Sequence, residues 1–501
     1  MSGENGRPIF FAFFPGIRTK QSSGISFRGD PSRRTNLSRA TSCGKIPQTY
    51  NKSQMGKIMS TQSPSKSSYI IPMTIIGSLF FIFGFVTWLN GSLIPFLKVT
   101  LEITAFEAMF VTFAFYIAYT VMALPAAWVL GRTGYRKGMM IGLLLIAFGA
   151  LVFIPAAYTR EFAFFLTGLF IMGTGLTILQ TASNPYVVRL GPNETAAVRI
   201  SIMGLLNKGA GIAGPVIFTA LILSGMNEFS EENMAALSAA AQQEKLHELA
   251  GRLVVPYIGM AVILAALAAA VMFAPLPEIR DEESELEEAL EGNHGHLGIL
   301  KYPQAVLGAI ALFLYVGVEV IAGDTIGLFG KQVGVEHYGT LTAYTMAFMV
   351  VGYILGMVAI PRLVNQSQAL LLSAVFGALF CIGILTASNE SHFISEILFG
   401  WAGVATIPNS VMFLALAGLA NALVWPAIWP LALSDLGKHT PSGSALLIMG
   451  ISGGALLPLL YGYLSGNSGD AQSAYWIMIP CYLFIFYYAV WGHKVRAWGG
   501  S

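Results

Sequence analysis

The chain has 501 residues, 55% of them hydrophobic and only 11% charged, with a formal net charge of +2. Soluble domains carry about 25% charged residues, so a chain with a mean hydropathy of +0.66 has too few charges to solvate a globule of this size. Composition excludes an ordinary water-soluble enzyme or a nucleic-acid-binding protein and makes the lipid bilayer the expected partner.

Residues 1–68 hold eleven Lys and Arg against only Glu4 and Asp30. They are Ser-rich and show no sustained apolar period, and Ile9 to Phe14 is too short for a signal-peptide core. The expectation is a disordered basic tail, or an over-extended start, since Met55 and Met59 stand just before the first apolar run.

A membrane-crossing helix needs about 20 mostly apolar residues. Twelve such spans can be drawn, at 69–96, 105–130, 138–157, 162–188, 199–224, 252–274, 303–328, 338–361, 368–388, 409–434, 442–465 and 472–492. None shows the period-two alternation of a barrel strand, so the expected fold is an all-α membrane protein. The stretch 389–408 is apolar only in part and reads as an extra interfacial piece.

Between the sixth and seventh spans, Glu278 to Glu291 holds eight acids and one base, Arg280. That composition describes a solvated linker. It divides the chain into a six-helix half at 69–275, a linker at 276–301 and a second half at 302–495. With the N-terminus inside, the inner loops hold Arg132, Arg136, Lys137, Arg189, Arg199, Arg362 and Lys438, and the outer ones Lys98, Arg160, Lys245, Arg252 and Lys331. With the basic tail, this bias predicts that both termini are cytoplasmic and that the chain is multi-pass in a plasma (inner) membrane.

The halves resemble each other. A shift of 233 places Gly84 on Gly317, Gly91 on Asp324 and Lys98 on Lys331. Asn184-Pro185 parallels Trp425-Pro426, which sets Gln180 opposite Asn421, and the glycines from Ser201 to Pro215 echo those from Ile448 to Pro458. Two parallel repeats of six spans form a transporter architecture whose substrate site lies at mid-membrane between the repeats.

Charges inside hydrocarbon are costly and mark function. Only Lys208, Glu319 and Asp324 lie deep in spans, whereas Glu107 and Asp435 lie at span ends. Glu319 and Asp324 share the seventh span but, five residues apart, point roughly 140° from each other on a straight helix. Gly317, Gly323 and Gly327 would let that helix break. The bland readings are a wet Asp324 near the outer end and a snorkelling Lys208. Of the polar amides in spans, Asn90, Gln180, Asn184, Asn207 and Asn421 both donate and accept, as sugar hydroxyls do. Helix-to-helix bonding is the bland alternative for each. Trp88, Trp425 and Trp429 offer flat apolar faces for a pyranose ring.

Two motifs bring these residues into a known pattern. Leu179-Gln-Thr-Ala-Ser-Asn-Pro-Tyr-Val, followed by Asn207 and a glycine-rich fifth span, and Phe80-Phe-Ile-Phe-Gly-Phe with Leu89-Asn-Gly-Ser-Leu-Ile-Pro resemble the glucose/galactose transporter and fucose permease branch of the major facilitator superfamily. Gly131-Arg-Thr-Gly-Tyr-Arg-Lys-Gly looks like a degenerate form of that superfamily's signature between the second and third spans. The resemblance covers roughly residues 70–495 and implies a twelve-helix fold, alternating access and cation-coupled hexose uptake. Two departures matter. Fucose permease has acids where this chain has Gly91 and Gln180, so the coupling role would fall to Glu319, Asp324 or Lys208. By the glucose/galactose resemblance, Na⁺ is expected ahead of H⁺. A carboxylate holding the cation is preferred to a Lys208–Glu319 pair, because counting along straight helices sets those two residues roughly 10 Å apart in height.

A membrane-embedded enzyme is the competing class, but the chain contains no His-Glu-x-x-His. A sensor lacking transport would need an attached signalling domain, which nothing in the chain suggests. No cofactor or metal site is expected. Cys43, Cys381 and Cys481 form no Cys-x-x-Cys pair, and His294 and His296 stand alone in a Gly-rich stretch.

Overall fold

In hydrocarbon every backbone amide must find its partner within its own segment, so apolar runs of this length become helices. The computed structural model describes residues 70–190, 196–224, 229, 233–234, 236–274, 276, 296–360, 362–436 and 439–498. The basic tail and nearly all of the acidic linker lie outside the described residues. Among those described, eleven helices are long and apolar enough to cross a membrane. The second expected span is the shorter Ala105–Val121 segment, continued from Ala123 onward. The fold is the expected all-α membrane bundle of twelve spans.

Several spans are broken rather than continuous. The first runs Ile70–Trp88, turns at Leu89 and resumes as Asn90–Thr100. The seventh runs Pro303–Asp324, turns at Thr325 and resumes as Ile326–Gln332. The seventh-span break falls after both acids, not between them. The tenth divides into Asn409–Asn421 and Val424–Leu433. The second and third spans join through Ala123–Thr159, with Gly134 at φ 74° and ψ 169°. That backbone conformation is open essentially only to glycine. The segment 389–408 forms the short helix Phe393–Phe399. Glu107 at the start of the second span closes a capping box with Thr104, and Asn365 and Gln368 do the same for the ninth. These side chains satisfy amides that a helix start leaves without partners.

The two halves pack by the same scheme. The first span lies on the fifth, the second on the fourth and the third on the sixth; in the second half the seventh lies on the eleventh, the eighth on the tenth and the ninth on the twelfth. Equivalent contacts use equivalent chemistry. A methyl group on Gly173 would strike the Phe115 carbonyl, and one on Gly418 the Thr345 carbonyl. Likewise Gly84 lies against the Asn207 backbone, and Gly453 against that of Phe313. Small residues let helix backbones approach where lipid supplies no hydrophobic drive for association. The seventh span is the most enclosed, with 72% of its apolar window buried, against 28% for the sixth, whose Val255, Val262 and Phe273 face outward.

The halves meet where the first span packs on the seventh, the second on the eleventh and the fifth on the eighth. We call the end of the bundle at which the first and seventh spans finish the far end. There Ser92 Oγ donates to the Gly339 carbonyl at 2.7 Å, and Phe106 packs edge-on against Tyr463 at 6.0 Å.

Gly453→Ala should destabilise the protein by about 1–3 kcal/mol, because the methyl meets backbone that cannot step aside. Gly209→Ala, with nothing within 4 Å of the new methyl, should stay within about 0.5 kcal/mol. Thermal melts of the two purified variants in detergent check the contrast; equal melting temperatures would remove the close-approach argument.

Candidate functional site

Two polar centres lie on the seam between the halves. The first is a small cavity lined by Tyr119, Thr177, Gln180, Thr181, Asn184, Trp425, Ile448 and Ile451, from the second and fourth spans on one side and the tenth and eleventh on the other. Gln180 and Asn184 are one turn apart on the fourth-span helix Phe162–Arg189 and so share a face. The Gln180 amide donates to the Tyr119 hydroxyl at 2.7 Å. Trp425 stands on the opposite wall, its ring 5.6 Å from that of Trp429. The cavity measures about 10 Å³, room for roughly one water molecule. Any larger guest requires the halves to part.

The second centre is a charge pair. Lys208 Nζ, from the fifth span, sits 2.6 Å from Glu319 Oε1 of the seventh, with both side chains less than a tenth exposed. The same ammonium lies 4.4 Å above the Trp88 ring, and Trp88 also packs against the Gly211 and Gly323 positions. The pair corrects the depth estimate from the sequence. Residue counts along straight, parallel helices do not carry over to the packed bundle, where the Lys208 chain reaches Glu319. Lys208 therefore does not snorkel.

Asp324 is fully buried rather than wet, and neither carboxylate oxygen has a hydrogen-bond partner among the described residues. It ends the helical stretch that also carries Glu319, so the two acids face different neighbours.

The remaining expected residues are placed apart from the cavity. Asn207 bonds the Phe80 carbonyl at 3.4 Å on the contact between the first and fifth spans, so it joins helices there instead of lining the Gln180 cavity. Asn421 is fully buried and accepts from Tyr482 at 3.0 Å within the second half. Asn90 is buried beside the first-span break, its Nδ2 unpartnered among the described residues. Trp88 is 97% enclosed, its relative exposure being 3%, and serves the lysine instead of the cavity. Trp429 backs Trp425, its buried Nε1 likewise unpartnered. Reading by residue type passed over Tyr119, Thr177 and Thr181. Thr177 and Thr181 could have been found from the fourth-span period alone, since 177, 180, 181 and 184 make one helical stripe. Tyr119 had no such signal.

A twelve-helix membrane bundle of two like halves, with amides, hydroxyls, indoles and a buried charge pair on the seam between them, defines a membrane transporter. Residues 76–450 match the Major Facilitator Superfamily, and the chain belongs to that family. Among curated relatives it is 34% identical to a glucose/galactose transporter of Brucella abortus, over 87% of this chain and 97% of that protein. It is 27% identical to the L-fucose-proton symporter of Escherichia coli, over 84% of this chain and 93% of the other. Among solved structures, the transporter FucP in its outward conformation superposes with a TM-score of 0.65 at 25% identity, covering 85% of this chain and 99% of that one.

Removing one member of the charge pair leaves the other buried and alone, which costs about 3–5 kcal/mol. Lys208→Met should lower stability by that amount, and adding Glu319→Gln to it should recover most of the loss. Melts of both single variants and the double variant complete the cycle. Additive losses would mean that the two groups do not interact.

Proposed function

We propose that this chain imports a hexose of the glucose/galactose type by cation symport, with the sugar held on the seam between the halves as they alternate. The observation that carries this reading is the Gln180 cavity. It offers a paired amide donor and acceptor, hydroxyls from Tyr119, Thr177 and Thr181, and the Trp425 face, all on helices from both halves. That is the chemistry a pyranose presents, with hydroxyls around the rim and C–H groups on the faces. The names of the relatives support the same substrate class.

For the coupling ion we propose H⁺ in place of the Na⁺ that the sequence set first. Glu319 already carries an ammonium at 2.6 Å, and a second cation beside Lys208 would be repelled by it. One relative is named a proton symporter. We place the transporter in a plasma (inner) membrane with both termini cytoplasmic, on the Lys and Arg distribution. Cysteine at position 284 of the linker, Ser284→Cys, should then resist an impermeant thiol reagent added to intact cells. Ready labelling would reverse the topology.

The binding reading is tested with labelled glucose and galactose in proteoliposome counterflow. Gln180→Ala removes a buried amide and leaves sugar hydroxyls unpaired, a loss of about 1–3 kcal/mol. Affinity should fall roughly 5- to 150-fold with the protein still folded. Unchanged affinity would exclude Gln180 from the site, and absence of counterflow with any hexose would exclude the substrate class.

A further inference from the structure

Among the described residues, three charges lie deep in the spans, and two of them, Lys208 and Glu319, neutralise each other. Asp324 is the third. It is 0% exposed, and both Oδ1 and Oδ2 lack a hydrogen-bond partner among the described residues. It sits in the last helical turn before the Thr325 break, where the far ends of the two halves join.

The obvious donors nearby are already committed. Thr342 Oγ1 donates to the Gly323 carbonyl at 2.7 Å, and Thr345 Oγ1 to the Ala322 carbonyl at 3.1 Å. Thr325 Oγ1 donates to Ile321 and is shared with the Tyr475 hydroxyl at 2.9 Å. Tyr116, from the second span, has a buried hydroxyl without a partner among the described residues and lies within electrostatic reach of Asp324. An ionised carboxylate in such a place is costly while uncompensated, whereas the neutral acid costs far less. Glu319 is under no such pressure, because Lys208 balances its charge at 2.6 Å.

We infer that Asp324 is the proton-binding residue of the cycle and that the Lys208–Glu319 pair joins the halves without carrying the proton. This rests on the proton-symport reading above. The arrangement seen here requires the carboxyl form of Asp324. When the seam parts and water reaches the seventh-span break, the carboxylate becomes affordable to hydrate and exchanges its proton with that water. The balance is one proton per cycle, bound as carboxylate plus H⁺ to carboxyl at one end and released by the reverse step at the other. No other bond changes.

The titratable groups around Asp324 are few. They are Tyr116 from the second span, Glu319 on its own helix with Lys208 beyond it, and Tyr475 with Tyr461 on the Thr325 side. Trp88 and Gly91 from the first span and Thr342 and Thr345 from the eighth pack on the same turn and carry no titratable group.

The test is labelled-hexose transport in proteoliposomes under an imposed pH gradient, together with sugar binding to purified protein across pH 5–9. Wild type should accumulate sugar above equilibrium, and its affinity should fall about tenfold per pH unit above the carboxyl midpoint. Asp324→Asn fixes the neutral form: accumulation should be lost, and binding and counterflow should become flat with pH. Glu319→Gln should keep the pH dependence of binding. If wild type ignores the gradient, the proton reading itself fails and this inference with it. If wild type responds and Asp324→Asn responds equally, only the assignment to Asp324 is overturned. A pH dependence lost in Glu319→Gln and kept in Asp324→Asn also overturns it. Should Asp324→Asn not fold, Asp324→Glu carries the test: a displaced midpoint supports the assignment, and an unmoved one rejects it.

Discussion

Two opposite charges in a low-dielectric seam constrain how the halves of this molecule can part. Lys208 belongs to one half and Glu319 to the other, and at 2.6 Å each is the reason the other can be buried. Desolvating such groups singly costs several kcal/mol per ion, so any motion that separates the halves at mid-membrane must hydrate both or leave both stranded. The pair therefore couples the position of the halves to the entry of water. Trp88 reinforces it by placing a ring face under the ammonium, 4.4 Å away, an attraction that strengthens where water is excluded.

Around that pair the helices approach each other closely at glycines, in addition to packing large apolar side chains such as Trp88, Met346 and Tyr353. Gly84 and Gly173 in the first half, and Gly418 and Gly453 in the second, each abut a neighbouring helix backbone. Such contacts leave little room for one helix to slide past its neighbour. The far-end contacts between halves add a serine bonding a carbonyl and an edge-on aromatic pair to the close approach of Gly91 to the seventh-span backbone. Few strong bonds need to break there for the seam to open. A cavity of about 10 Å³ at the Gln180 stripe fits a closed seam, and the amide bond to Tyr119 gives that polar surface a partner while no guest is present.

The particular residues divide by how local their signal is. Gln180 and Asn184 were legible because four-residue spacing places them on one face whatever surrounds them. Glu319, Lys208 and Asp324 were legible as charges in hydrocarbon. Residue type and motif mark Asn207 and Trp88 as sugar contacts, but neither reports direction: one bonds the Phe80 carbonyl and the other supports a lysine. Tyr119 was passed over because a tyrosine in an apolar helix looks like any other aromatic until a partner from another span reaches its hydroxyl.

By itself the sequence determined the bundle, its two-fold repetition and the short set of groups able to do chemistry within it. Those follow from composition, from period and from the cost of charge in lipid, which act along the chain. Which charges meet was decided only by tertiary structure. Lys208 and Glu319 are 111 residues apart, and their contact depends on helix tilt and crossing, which one-dimensional spacing does not encode. The same holds for Asp324, which has no hydrogen-bond partner among the described residues because of what packs around it and not because of its own helix.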